Sequence, residues 1–332
     1  AYLKTYYPAQ FMAALLTSVL DSSNKVARYT AECKRLGLKL AVPDINTSVM
    51  GFSANGNVIN YGLLGIKNIG SEFINDIIKE RKNGKYESLF DFCSRLQTAH
   101  FNRRAAESLI RCGALDSLGA NRRQMLQALP PLVSNLDEIR RKTMYGQVGF
   151  FELGGKDSFG VDFEMPDVPE FPQAELLKME KEMTGLYLSG HPLDKYDKII
   201  EKLGYVRTSD LLEAESNPLA VYKDGDEVSL CGIITHITVK QTKAGQNMAF
   251  VTAEDMLGSI EIVVFPKVLA ACSSHIVPSG VITVFGTLSI EEEKDPKILA
   301  NVVFGAPDSN SRPAKSKRAS AHKNDLNEKN QN

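Results

Sequence analysis

YGLLGIKNIGSEFINDIIKER, residues 61–81, breaks a short apolar run at a glycine-flanked turn, Gly65-Ile66-Lys67-Asn68-Ile69-Gly70, and resumes at once as an amphipathic helix. Gly and Asn tolerate the left-handed region that other residues avoid, so this spacing predicts a tight reversal with positive-φ positions. Beyond it, Phe73, Ile74, Ile77 and Ile78 share one face, while Glu72, Asp76, Lys79, Glu80 and Arg81 decorate the other. Ser71 is the expected cap. A helix N-terminus just past a glycine leaves backbone N–H groups uncovered and carries partial positive charge, which suits a phosphate oxygen, and Lys67 adds a mobile cation. This is the physics of a helix-hairpin-helix, with Lys67, Asn68, Gly70 and Ser71 as candidate contacts to a nucleic-acid backbone. A helical corner packed for its own sake is the alternative.

At 332 residues the chain is long enough for two or three domains with sizeable cores. The net charge of −1 excludes a uniformly basic surface, so nucleic-acid contact must come from local patches. Residues 61–130 supply one, with eleven Lys/Arg against seven Asp/Glu. Cys33, Cys93, Cys112, Cys231 and Cys272 are odd in number and lack the CxxC spacing of a zinc site, so no metal site is expected. They read as reduced, buried thiols of a cytoplasmic protein. No stretch approaches the ~20 apolar residues of a membrane span. Ala1 is not a start methionine and Tyr2-Leu3-Lys4 reads as mid-element, so a fragment is expected.

The helical period predicts two helices within residues 1–40, the first with Pro8 in its opening turn and a stripe of Phe11, Leu15, Leu16, Val19 and Leu20. The second starts near Asn24, turns Val26, Tyr29, Cys33 and Leu36 inward, and stops at Gly37. A small hairpin around Asn55-Gly56 follows. Helical patterns then run from Tyr86 to about Leu132, where Asn102 and Asn121 each precede an Arg-Arg pair at a helix start. Arginines there oppose the helix dipole, and a nearby phosphate would account for both pairs, Arg103-Arg104 and Arg122-Arg123, with Arg103 and Arg104 as candidate contacts; a solvated face is the other reading. Gly113 marks a helix end and a second hairpin.

Residues 142–174 lose periodicity and gain Gly, Pro, Phe and Asp, with Gln147 followed by Phe150 and Phe151. Two adjacent aromatics in a Gly-rich linker are costly to leave in water, so the pair docks on its own domain or on a partner. A helix over about Gln173–Leu186 and the turn LYLSGHPLDKY come next, with His191 read as a structural turn residue. From Asp226 to Phe304 the period changes to two. Five strands with a short helix, PKVLAACSS, between the third and fourth match an OB-fold barrel. Lys240, Lys243 and Phe250 offer a charge-and-stacking surface for single-stranded nucleic acid, although the strand pattern fits a protein-contact barrel equally well. The polar tail cannot bury enough surface to fold alone.

Taken in order, AYLKTYYPAQFMAALLTSVLD, CKRLGLKLAVPDIN, YGLLGIKNIG, LFDFC, NRRAAESLIRCGALDSLG, GLYLSGHPLDKY and GSIEIVVFP resemble the bacterial C-family replicative polymerases, the DNA polymerase III alpha subunits. The resemblance covers residues 1 to about 305. It implies a multidomain α plus β chain: the rear of the fingers (1–60), a helix-hairpin-helix region (61–141), a linker (142–174), a helical connector (175–222) and a five-stranded OB-fold (223–305); the polar tail (306–332) departs from the family and reads as disordered from its composition. Gln147-Val148-Gly149-Phe150-Phe151 is similar to the family's sliding-clamp motif, with Phe150 where Leu or Met is usual. Asn68 stands where the family's hairpin usually has its first glycine. DNA, the sliding clamp and other replicase subunits are the implied partners. In the family, palm aspartates hold two metal ions, so Mg²⁺ is implied for a full-length polymerase; those aspartates have no counterpart here, and the chain alone is expected to be inactive. Asp224-Gly225-Asp226 spells D-x-D but precedes the barrel in a turn. A non-catalytic DNA-binding or adaptor protein with the same modules is the competing expectation.

Overall fold

The computed structural model describes residues 2–20, 22–97, 100–144, 164–216, 220–291 and 294–308. Gln147, Phe150 and Phe151, and the tail from residue 309, lie outside the described residues. The chain divides into two compact units, Ala1–Gly190 and His191–Asn332.

The first unit opens with α1 (Tyr2–Tyr6), α2 (Pro8–Ser18) and α3 (Ser23–Arg35). Pro8 takes the first helical position of α2, where its missing N–H costs nothing. Leu16 of the expected stripe is fully buried and Phe11, Leu15, Val19 and Leu20 pack at the core's edge, while Met12 and Ala13, outside the stripe, are buried with Leu16. Gly37 follows α3 at φ 73. A small sheet comes next: β1 (Lys39–Ala41), β2 (Ser53–Asn55) and β3 (Val58–Asn60), in the order β1-β3-β2. The β2–β3 hairpin turns on Gly56-Asn57, one residue later than the sequence spacing predicts, because Gly56 is the residue at positive φ. β1 joins β3 in parallel, a pairing that three residues of sequence do not announce.

Four helices complete the turn-rich centre: α4 (Ser71–Glu80), α5 (Leu89–Arg95), α6 (Arg103–Arg111) and α7 (Arg122–Met144). Ser88, Asn102 and Asn121 each cap the next helix by accepting a hydrogen bond from the amide three residues on. Gln124 completes a capping box by accepting from the Asn121 amide at 3.0 Å. Helix α7 runs well past the expected end near Leu132, through Pro130 and Pro131. Burial of Leu129, Leu132 and Leu136 on one face outweighs the hydrogen bonds the prolines forfeit. Then α8 (Gln173–Thr184) returns to the same core and ends at Gly185, φ 78.

In the second unit, α9 (Asp197–Leu203) and α10 (Thr208–Ser216) precede β4 (Glu227–Gln241), β5 (Asn247–Glu254), β6 (Ser259–Val264), α11 (Pro266–Cys272), β7 (Val281–Ser289) and β8 (Lys297–Phe304). The strands close as β4-β5-β6-β8-β7, with β6 and β8 the one parallel pair, as an OB-fold requires. Ala249, Val251 and Ala253 point inward from β5, opposite Ile260, Ile262 and Val264 of β6. Helix α10 contributes Leu211, fully buried, to this same core, so residues read as connector belong to the barrel's packing.

Candidate nucleic-acid interface

The hairpin turn is built from Tyr61 upward. Leu63–Gly65 make one 3-10 turn, and within residues 65–70 only Asn68 has positive φ, at 66. Gly65 is needed for a different reason than conformational freedom: a Cβ there would lie 2.9 Å from the Tyr61 ring. Gly70 is extended (φ −87, ψ 153) and occupies the cap position itself. The expectation that Ser71 caps α4 is therefore corrected, because Ser71 is the first helical residue and the helix has no side-chain cap. That leaves the opening amides of α4 for solvent or an anion. Glu72, in the same first turn, already complements the dipole and would repel a phosphate placed beside it. Phe73, Ile74 and Ile77 are buried beneath, each worth about 1.5–3 kcal/mol, so the turn stands on a firm base.

Lys67 and Asn68 are exposed. The Lys67 amide donates to the Met183 carbonyl at 2.9 Å, and Asn68 Nδ2 donates to Ser108 Oγ at 3.1 Å. Ser108 Oγ in turn donates to the Arg104 carbonyl at 3.0 Å. Through this one hydroxyl the structure brings the hairpin turn and the Arg103-Arg104 turn of α6 together. Both arginines are exposed, and Arg103 Nε pairs with Glu107 Oε1 at 2.8 Å along its own helix. The second Arg-Arg pair is different. Arg122 is buried between Asp116 and Glu180, at 2.8 and 3.0 Å, and those carboxylates hold its guanidinium above the ordinary arginine range against the cost of burial. Arg123 lies over the Phe171 ring. A phosphate beside this pair is not the explanation. The Glu170 carboxylate accepts from the Arg122 and Arg123 amides at 2.9 and 3.2 Å and supplies the anion at that helix start. Sequence reading missed Glu170, Glu180 and Ser108; a carboxylate some fifty residues distant leaves no local signal.

On the barrel, Phe250 alternates with the buried Ala249 and Val251 and so faces outward, half-buried, with Lys240 Nζ 5.1 Å from its ring centroid. Thr238 sits directly across from Phe250, and His236 Nε2 lies 3.1 Å from Thr238 Oγ1 on the same strand. Lys243 is exposed in the β4–β5 turn, where Gly245 at φ 75 closes the reversal. Cation and ring are thus adjacent, the arrangement a stacked base and its phosphate need.

The remaining candidates are structural. His191 accepts the Leu193 amide on Nδ1 at 3.2 Å and donates its own amide to Asp194. Asp224 and Asp226 each accept a backbone amide, from Ile290 and Lys223. All five cysteines are buried, and desolvation pushes the Cys93, Cys112 and Cys231 thiols up to about 12, beyond nucleophilic use. Among the described residues no helix is long and apolar enough to cross a membrane.

Comparison with known proteins agrees with both halves. A helix-hairpin-helix motif matches residues 37–125 and an OB-fold nucleic acid binding domain matches residues 228–304. DNA polymerase III subunit alpha of Saccharopolyspora erythraea is 36% identical over 299 residues, 88% of this chain and 24% of that protein. The Borreliella burgdorferi subunit is 36% identical over 91% of this chain and 26% of its own length, and that of Escherichia coli 32% identical over 88% and 25%. The chain thus spans about a quarter of the length of the curated relatives it matches. With a helix-hairpin-helix region followed by an OB-fold domain, it belongs by sequence to the DNA polymerase III subunit alpha family over that stretch.

Proposed function

We propose that this chain is the nucleic-acid-gripping part of a bacterial replicative polymerase, working in the cytoplasm on chromosomal DNA. The first unit holds duplex backbone through Lys67, Asn68, the amides at Gly70 and Ser71, and Arg103 with Arg104. The barrel guides single-stranded template across Lys240, Lys243 and Phe250. Gln147, Phe150 and Phe151 tether the polymerase to its sliding clamp, and other replicase subunits are further partners. Nucleotide transfer with Mg²⁺ belongs to other parts of the polymerase, so the chain alone does not extend a primer.

The observation that carries this reading is the exposed Lys67–Asn68 turn, tied to the Arg104 turn through Ser108 and followed by a helix start with no side-chain cap. Such a surface recognises backbone charge and not base sequence. The test is duplex affinity measured between about 50 and 200 mM salt: binding should fall steeply, equally for unrelated sequences, and Lys67→Ala should weaken all of them alike. A flat salt response would leave the hairpin as a packing device only. On single strands, Lys243→Ala and Phe250→Ala should each weaken binding, the ring being worth about 1–3 kcal/mol. Equal binding by parent and both variants would assign the barrel to protein contact.

A further inference from the structure

Helix α8 lies outside the matched helix-hairpin-helix residues, yet its last carbonyls reach the hairpin turn. The Met183 carbonyl accepts the Lys67 amide at 2.9 Å. The Thr184 carbonyl lies 3.1 Å from the Tyr61 hydroxyl, which is also 3.1 Å from the Gly65 carbonyl. Tyr61 is 1% exposed, wedged against Phe52 with ring centroids 4.8 Å apart, and its ring fills the space that Gly65 leaves by lacking a Cβ. Its one hydroxyl proton is shared between the turn's entry and the end of α8.

The same end of α8 is fixed a second time, at Glu180, one turn before Thr184. Glu180, fully buried, receives Arg122 on one carboxylate oxygen and the Leu188 and Ser189 amides on the other, at 3.0 and 2.9 Å. A helix held this way cannot slide without breaking a buried charge pair, which is costly. The turn is therefore fastened at Gly65 by Tyr61, at Lys67 by α8 and at Asn68 by Ser108 of α6. What remains outside these fastenings is the Lys67 side chain and the first turn of α4.

We propose that Tyr61 is a positioning residue for duplex binding: its hydroxyl locks the end of α8 under the Gly65–Asn68 turn, so that Lys67 and the α4 amides are presented to the nucleic-acid backbone in one preorganised geometry. Preorganisation matters because a contact that must first be ordered returns less affinity. The inference rests on the reading of Lys67 as a backbone contact, and the experiment separates the two.

The full chain is used throughout, with a blunt DNA duplex of mixed sequence as probe, followed by fluorescence anisotropy as salt is varied. Tyr61→Phe keeps the ring and removes the hydroxyl; it should weaken duplex binding by about fivefold, the effect of one lost hydrogen bond. Lys67→Ala should weaken binding and lower the salt slope by about 0.9, one phosphate contact. In the double variant, Tyr61→Phe should cost less than it does in the parent, only the α4 amides being left for it to position, a non-additivity that general loss of stability would not produce. Hydrogen exchange gives a readout without DNA: in the parent the Lys67 amide should exchange as slowly as amides inside α8, and Tyr61→Phe should speed it. Full duplex affinity in Tyr61→Phe beside a weakened Lys67→Ala overturns the inference and leaves the Lys67 reading intact. Unweakened binding by Lys67→Ala overturns that reading and, with it, this proposal. Fast exchange at Lys67 in the parent overturns the inference alone, even where Tyr61→Phe fails to fold.

Discussion

Asn68 combines two properties that no other residue type in the turn has: it accepts φ 66, and its amide reaches Ser108. Glycine keeps the first and loses the second; alanine loses both. Asn68→Ala should therefore destabilise the first unit more than Asn68→Gly, by about 1 kcal/mol, the usual penalty for a Cβ in the left-handed region. Denaturant unfolding of the two variants checks this, and the reverse order would remove the backbone constraint from the account. Glu32 offers a second test at this scale. Hydrogen bonds from Arg35 and Lys4, with the Arg35 contribution largest, hold its carboxyl at about 2, well below the 4.5 of a free glutamate. A folded value depressed in this way contributes stability that is fully present above the unfolded value and is lost as pH falls through the folded one. Glu32→Gln should thus lower the melting temperature at neutral pH, by a difference that shrinks as pH falls below about 4.5 and vanishes only below about 2. Single residues were legible in sequence where backbone chemistry is local, as at Asn68, Asn102 and Gly113, each found in the conformation or cap its type favours. They were not legible where a distant side chain decides. Arg122 and Arg103 follow identical Asn-Arg-Arg starts, and only the burial of Glu180 separates a core ion pair from a surface cation.

Elements show the same division. Alternation of inward and outward positions made β5 readable, with Ala249, Val251 and Ala253 buried in turn, whereas β4 is buried without a break from Val228 to Ile234 and is told as a strand by its run of β-branched and apolar residues. Helix α7 outruns its expected end near Leu132 by some twelve residues, and the apolar face that continues past Pro130 and Pro131 to Leu136 is what carries it on. Helix α10 was read as connector for the opposite reason: a nine-residue polar helix shows no stripe wide enough to claim a core. What attaches it is Asp255, 6% exposed, which accepts the Thr208 amide at 2.8 Å, the Thr208 hydroxyl at 2.5 Å and the Leu257 and Gly258 amides. The carboxylate thereby joins the start of α10 to the β5–β6 turn, and Leu211 fills the barrel beside it. Thr208→Val preserves shape and the amide bond but leaves a buried carboxylate one donor short. A loss of about 1–3 kcal/mol in barrel unfolding is expected. A variant as stable as the parent would show that α10 is an appendage and not a part of the domain.

For the whole molecule, the sharpest expectation concerns the stretch that carries Gln147, Phe150 and Phe151. Its two borders are well anchored within the first unit: α7 continues to Met144, and on return Asn121 Nδ2 donates to the Val168 carbonyl at 2.8 Å while Glu170 takes the first amides of the same helix. The stretch thus leaves one end of α7 and is fastened again at the other, some 34 Å away by helix rise. Between those anchors a sequence with no helical or strand period holds two adjacent phenylalanines, costly to leave in water, and docking on a partner pocket is the use expected of them. Core residues of the first unit such as Leu129, Leu132 and Leu136 are already buried among the described elements. A peptide of residues 144–154 should therefore bind the cognate sliding clamp on the order of micromolar, since a short isolated peptide gives up ordering entropy when it docks. Phe150→Ala with Phe151→Ala should abolish that binding in the full chain as well, while the melting temperature stays within about 2 °C of the parent, as expected for substitutions away from a core. Gln147→Ala should weaken it less, because the rings supply most of the burial and the amide only fixes register. A large fall in melting temperature, or clamp binding that survives the double substitution, would place the pair on its own domain and leave the clamp contact to another part of the polymerase.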